Sequence, residues 1–291
     1  MGNKATTIDE QIEILKKRGM NFDNDIKKSK EILQDIGYYR LGFYWHPFEI
    51  DKAHNFKVNT NFSTIINLYY LDFDLRNLIT NYINRIEINF RSNVIYYVSN
   101  RFKNSPTWFF DPNVVEQNFI KELPIFYDKN FIKNNKTIKN HHKKYINDKY
   151  APAWKTLEFF SFGTILKIYS ALKDTAIKQR ISEKYNIRNI EKFENLMRTI
   201  VYLRNICAHS NVLFDLQTPK GISVVPMIDL QNDRHSLCSS LKVIDYILSK
   251  ISINRSNDFK KDLNSFLSKY NDDEIMQNII KEKMGFKNNL I

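Results

Sequence analysis

The sequence predicts an all-α protein. Glycine and proline are scarce, at seven of each in 291 residues, against average usage of roughly 7% and 5%, so the chain has few tight turns. Apolar residues recur at spacings of three and four over long stretches, the mark of helices that each bury one face. Neither an internal repeat nor a low-complexity tail is present.

Residues 7–36 read as two short helices around Gly19, with Ile12 and Leu15 in the first and Ile26, Ile32, Leu33 and Ile36 in or near the second. The next segment, from Gly37 to Pro47, reads as a turn rich in aromatic residues. Tyr38, Tyr39, Phe43, Tyr44, Trp45 and Phe48 there either form a core corner, the preferred reading, or stack bases beside the cationic Arg40. Arg40 and His46 also have an R-x5-H spacing, but Gly42 and the aromatic neighbours favour a turn over a helical site. From Phe62 to about Phe102 runs the longest helical pattern, free of Gly and Pro, with Ile79, Ile83, Ile86, Phe90, Val94 and Tyr97 as its apolar stripe. On it Glu87 and Arg91 are i,i+4 partners and Arg85 shares a face with Asn89. These read as a surface salt bridge by default, or as lining one cleft with a later arginine, Arg204.

Segment 103–152 is expected to be the least regular, with Pro106, Pro112, Pro124 and Pro152 and a basic patch from Lys133 to Lys149. His141 and His142 inside it stand about 100° apart on a helix with no third ligand at metal spacing, which argues against a metal site. The lysines, Lys143 and Lys144 among them, read as phosphate contacts or as a solvated face. A third helix is expected from about Thr156 to Asp174, around a break at Ser161-Phe162-Gly163. Another covers 190–209; after an irregular stretch from Gly221 to Pro226, Leu237, Leu241, Ile244, Leu248 and Ile251 mark a further one. Two shorter helices fit 257–269 and 273–283. The organisation expected is an N-terminal helical and aromatic region, 1–61, followed by a helical domain, 62–291.

The net charge is +12, from 44 Lys and Arg against 32 Asp and Glu. Such a field attracts polyanions and makes their binding salt-dependent, although codon bias in an AT-rich genome gives the same composition. Two cysteines, Cys207 and Cys238, supply no disulfide framework, so a reducing cytoplasm is expected. No run of about 18 apolar residues is available to span a bilayer, and the start lacks the apolar stretch of a signal peptide. Met1-Gly2-Asn3-Lys4-Ala5-Thr6 fits the loose myristoylation pattern, here read as chance.

The densest concentration of chemistry is Arg204-Asn205-Ile206-Cys207-Ala208-His209. Cys207, Leu203, Ile200, Leu196 and Phe193 form the buried stripe of their helix, so Asn205 points outward, His209 shares its face four positions on, and Arg204 lies on the flank. Glu194, Met197, Arg198 and Val201 are expected on the same outward face, a mixture suited to a partner surface. A histidine that titrates near neutrality takes a proton from a ribose 2′-OH or gives one to the leaving 5′ oxygen. A guanidinium offers a charged fork to a phosphorane-like transition state, and an asparagine holds phosphate or imidazole in place. DNA lacks the internal nucleophile, so the kit favours RNA and needs no metal or other cofactor. Arg204 and His209 are about 140° apart on an ideal helix, so one copy does not focus both on one phosphate, whereas two copies do. By spacing alone the same residues also read as a helix end that pairs with carboxylates and caps carbonyls.

Several blocks in order along the chain resemble the Abi-like family of bacterial abortive-infection proteins, of AbiD and AbiF type. They are Gln11 with Arg18-Gly19-Met20, Ile36 to Leu41, Leu71-Asp72-Phe73-Asp74-Leu75-Arg76, Arg85-Ile86-Glu87 with Arg91-Ser92, Pro152-Ala153-Trp154 through Glu158 to Gly163, Leu203 to His209, and Met284-Gly285-Phe286. The resemblance implies a helical bundle of the HEPN superfamily with a small N-terminal extension and irregular insertions. That superfamily's R-x4-6-H motif marks metal-independent endoribonucleases that act as dimers. By this resemblance Arg204, Asn205 and His209 form a composite catalytic site with a second subunit, in an antiphage toxin restrained by a structured non-coding RNA. Arg85, Glu87, Arg91, Arg40, Lys143 and Lys144 are the expected supporting or RNA-contacting residues. Two departures stand out: Ser210-Asn211-Val212-Leu213-Phe214 replaces a His-x-Arg-Leu-Trp-like continuation, and Gly285 to Leu290 replaces a Gly-Phe-Pro-x-x-Trp-like ending. The rival readings are a non-catalytic RNA-binding protein of a defence ribonucleoprotein, and a scaffold that senses a phage protein through its aromatic N-terminal region.

Overall fold

The computed structural model describes residues 4–23, 25–230 and 233–286. Met1 to Asn3 of the myristoylation-like start and Lys287 to Leu290 of the C-terminal block lie outside the described residues. Among those described the protein is all-α, with fourteen α-helices, a few 3-10 turns and isolated β-bridges but no strand. The chain divides into two compact units, Met1–Asn77 and Leu78–Ile291, and the division falls inside the longest helix.

In the first unit α1 (Ile8–Lys17) opens on a capping box. Thr7 Oγ1 accepts from the Glu10 N–H at 3.3 Å and Glu10 Oε2 accepts from the Thr7 N–H at 2.7 Å, satisfying two donors that the helix itself leaves free. The second helix, α2 (Ile26–Ile36), is capped by Asp25 and stops at Gly37, whose φ of 91° is open to glycine at little cost. The segment expected to be an aromatic turn is instead a helix, α3 (Tyr38–Trp45), continued by a 3-10 turn over His46–Phe48. Gly42 costs such a helix only about 1 kcal/mol, whereas burial of Leu41, Tyr44 and Trp45 at helical spacing returns about 1.5–3 kcal/mol for a large apolar side chain. The rings therefore separate by face: Tyr44, Trp45 and Phe48 are core, while Tyr39 and Phe43 are exposed. His46 meets Glu49 through Nδ1 at 3.0 Å.

The longest helix, α4 (Phe62–Arg101), begins in this unit. Its Asp72 and Arg76 form a buried ion pair, and Tyr44 Oη donates to Asp72 at 2.8 Å. Arg40 on α3 donates to the same Tyr44 oxygen at 3.1 Å. Burial, with the Asp72 charge alongside, pushes the Tyr44 phenol well above its ordinary pKa, so it remains a neutral donor. The Leu71-to-Arg76 block is thus a structural latch. Truncating one partner of such a pair strands the other charge; Asp72→Ala is expected to cost about 3–5 kcal/mol, read as a lowered thermal midpoint, and a midpoint unchanged within a degree would refute the latch.

In the second unit α4 buries Ile79, Ile83, Ile86, Phe90 and Val94, the stripe its periodicity predicts, with Tyr97 only half-buried. The segment 103–152 is more regular than its prolines suggest, forming α5 (Gln117–Phe126), α6 (Lys129–Asn134) and α7 (Lys136–Lys144). Pro106, Pro112 and Pro152 fall in connections, and Pro124 lies near the C-terminal end of α5, where few hydrogen bonds remain to be lost. The short α8 (Ala153–Thr156) leads through a 3-10 turn to Ser161, whose hydroxyl caps α9 (Phe162–Ala171). Next come α10 (Thr175–Glu183), which the sequence reading passed over, and α11 (Ile190–Ala208). The remaining helices are α12 (Leu237–Ile251), α13 (Ile253–Ser268) and α14 (Glu274–Glu282).

Phe90 is the hub of this core. Its ring lies 6.1 Å from Phe162, 5.5 Å from Tyr169 and 6.0 Å from Phe193, joining α4 to α9 and α11. These separations suit edge-on and tilted aromatic pairs. Among the described residues no helix is long and apolar enough to cross a membrane.

Candidate active site at the end of helix α11

Asn189 caps the start of α11, and Phe193, Leu196, Ile200, Leu203 and Cys207 are all buried. Met197, expected on the outward face, is buried as well; the stripe is wider than the spacing of the five residues implies, because α9, α10 and α12 all pack against this helix. Glu194 and Arg198 do lie outward of the core, where Glu194 meets Lys178 at 3.0 Å and Arg198 at 2.8 Å.

The helix stops abruptly. Ser210 adopts a φ of 54°, its N–H donates to the Cys207 carbonyl at 3.3 Å, and the Asn211 N–H donates to the Ile206 carbonyl at 2.9 Å. This pair of reversed bonds is a Schellman motif, and it holds His209 at the C-cap of the helix with its side chain exposed. Asn205 is also exposed and Arg204 is half-buried. The imidazole of His209 makes no hydrogen bond or ion pair among the described residues, whereas Arg204 Nη1 donates to Asn205 Oδ1 at 3.4 Å.

Behind Arg204 stands Glu87 of α4. Arg204 Nε lies 3.8 Å from Glu87 Oε2, an ion pair too long for a hydrogen bond. Arg91 Nη2 donates to Glu87 Oε1 at 2.5 Å and to the Phe160 carbonyl at 3.0 Å. Glu87 and Arg91 are both buried, so the surface salt bridge expected by default is an interior one. Arg91 Nε is buried and lacks a hydrogen-bond partner among the described residues, which leaves Glu87 as its essential compensation. One carboxylate faces two guanidiniums, so the group keeps a net charge of about +1 at the helix end. Arg204 therefore has donors free for another anion while its stem is anchored.

Of the other expected contacts, Arg85 is exposed on α4, two positions and about 200° round the helix from Glu87, and it does not join the Arg204 group. Lys143 and Lys144 stand exposed in the last turn of α7, where cations favour the negative end of the helix dipole; Lys144 lies over the Tyr145 ring at 5.2 Å. Arg40 belongs to the Tyr44 cluster of the first unit. His141 is buried against Asp148 at 3.0 Å, and His142 Nε2 pairs with Tyr127 Oη at 2.8 Å. Burial lowers the His141 pKa, and both rings serve the local packing of α7.

Residues 31–215, spanning most of α2 to just past the Schellman turn and carrying every residue of the candidate site, match the model of a family described as Abi-like protein. The chain belongs to the Abi-like protein family. Neither curated proteins nor solved structures gave a match.

Ser210 is the one site position whose backbone conformation disfavours its residue. A left-handed non-glycine residue costs about 1–2 kcal/mol, and glycine gives back about 0.5–1 kcal/mol of that in chain entropy. Ser210→Gly is expected to raise stability by about 0.5–1 kcal/mol, read by urea unfolding; a loss of stability would show that the Ser210 side chain contributes to the turn.

Proposed function

We propose that the protein is an endoribonuclease of HEPN type, the toxic component of an abortive-infection system. The reading rests on one observation: Arg204, Asn205 and His209 present an anchored guanidinium, an amide and an unencumbered imidazole together at the exposed end of α11. Membership of the Abi-like family supports the setting.

In the reaction the ribose 2′ oxygen attacks the adjacent phosphorus while its proton passes to an imidazole. The bond from phosphorus to the 5′ oxygen breaks, and the leaving oxygen takes a proton from a second acid. The products are a 2′,3′-cyclic phosphate and a 5′-OH. Arg204 balances the charge that grows on the phosphorane oxygens, and Asn205 orients the phosphate. Concerted acid and base catalysis uses two proton-transfer groups, and each copy of α11 offers one imidazole. Two copies related by a two-fold axis supply both, which is the physical reason for proposing a homodimer with a composite site. These side chains carry the chemistry themselves, so no metal is assigned a role. Binding of a structured non-coding RNA across the same helix end is the proposed restraint.

His209→Ala is expected to leave folding intact and to lower RNA cleavage by about 10²–10⁴-fold, the usual worth of a general acid or base, abolishing growth arrest as well. Arg204→Lys is not expected to restore an Arg204→Ala loss, because a point charge lacks the fork. Cleavage by His209→Ala at the wild-type rate would overturn the proposal. Weaker RNA affinity in both variants, with no cleavage by either variant or by the wild type, would favour the non-catalytic RNA-binding reading, in which the trio holds a phosphate statically.

A further inference from the structure

On the side of α4 away from Glu87, a cleft of about 500 Å³ opens between α4 and α13. It falls in the size range of small-ligand sites, about 300–1,000 Å³, and adjoins a second depression of about 350 Å³ that shares Arg85, Ile88 and Arg255. Arg85 comes from α4 and Arg255 from the first turn of α13. Neither guanidinium makes a hydrogen bond or ion pair among the described residues, while Arg91, Arg101, Arg198 and Arg204 of the same unit each meet a carboxylate.

Two arginines from different helices facing one cleft repel each other unless an anion joins them. Among the described residues Asp258 is the only acid lining the two depressions, one turn along from Arg255, and it makes no ion pair with either arginine. Tyr82, which also lines the cleft, donates to Asp262 at 2.5 Å; burial first and Asp262 second push its phenol upward, so it brings no charge. The remaining lining combines amides and hydroxyls, from Asn81, Asn84, Asn89, Ser92 and Ser252, with the apolar Ile88 and Ile251. The amides and hydroxyls bond equally to phosphate oxygens and ribose hydroxyls. With phosphates on the two arginines and ribose hydroxyls on the amides, a sugar-phosphate backbone finds a partner for each of its polar groups in this lining.

We propose that Arg85 and Arg255 form a second RNA-binding site, a phosphodiester clamp in the α4–α13 cleft that holds backbone of the RNA outside the cleavage centre. The inference rests on the RNA reading of the α11 site and adds to it a separate grip. Arg255 lies outside the residues matched to the family, so the clamp joins a family helix to one contributed by this chain's C-terminal portion.

The test uses the full chain carrying His209→Ala, so that RNA survives the measurement, and a fluorescent single-stranded RNA of mixed sequence as probe. Arg85→Gln with Arg255→Gln is expected to weaken binding at least tenfold at low salt. It should also reduce the slope of log affinity against log salt by about 1.4, at about 0.7 per phosphate contact on a single strand. Thermal midpoints should be unchanged, since neither side chain has a hydrogen-bond or ion-pair partner among the described residues. As a charge-matched control, Lys103→Gln with Lys269→Gln, just past the ends of α4 and α13 and outside the cleft lining, should have little effect. Equal affinity and slope in the Arg85/Arg255 variant would overturn the clamp even if the wild type cleaves RNA. Displacement of the probe by polyglutamate as readily as by unlabelled RNA would likewise overturn it, in favour of an acidic peptide. Loss of binding in that variant, alongside a wild type that cleaves nothing, would uphold the clamp and sink the nuclease reading alone.

Discussion

Everything at the candidate site depends on one buried carboxylate. Glu87 lies between Arg91 and Arg204, and through them ties α4 to the carbonyl of Phe160 and to the end of α11. A buried carboxylate without a cation is costly, and a buried guanidinium without an anion equally so. The two helices are therefore bound by mutual need rather than by a strong net attraction. Because Arg91 takes the short, well-aligned bond, Arg204 is left with a long one. It is positioned without being used up, the condition a phosphate-binding arginine has to meet. The Tyr44–Asp72–Arg76 cluster follows the same logic in the first unit, but with every charge enclosed, so it holds structure and offers nothing to solvent.

The second constraint is how α11 ends. A helix running past His209 would leave the imidazole along a flank; the reversed bonds at Ser210 and Asn211 put it at the tip. Local backbone chemistry thus decides where the titratable group stands, and the aromatic hub at Phe90 decides how firmly α11 sits against α4 and α9. Sequence, packing and chemistry meet in a surface with an anchored guanidinium and one imidazole per chain, and in the proposed mechanism that single imidazole is what makes a second copy chemically useful.

Much of this was legible in the sequence where burial follows a simple period. The forty residues of α4 and the five-residue stripe of α11 follow from spacings of three and four. Sequence pattern misleads where tertiary contacts override local preference. Gly42 and a run of aromatics suggest a turn, yet burial of Leu41, Tyr44 and Trp45 makes the segment a helix. Prolines suggested irregularity in 103–152, but most of them occupy the connections between helices. Glu87 looked like a surface partner because it is charged. Its spacing of four from Ile83 and three to Phe90 puts it in the buried stripe, and that was the available signal. Arg255 carried no signal at all, because the cleft that gives it meaning exists only once α13 folds beside α4.

The account's central claim, that this helix end turns a ribose hydroxyl against its own phosphate, is tested most directly by mass spectrometry of RNA ends. Purified protein would be incubated with an unmodified RNA and with the same RNA fully 2′-O-methylated. The account predicts fragments ending in 2′,3′-cyclic phosphate with 5′-OH partners from the first, and an intact second. Fragments bearing 3′-OH ends, or equal cleavage of the methylated strand, would contradict it.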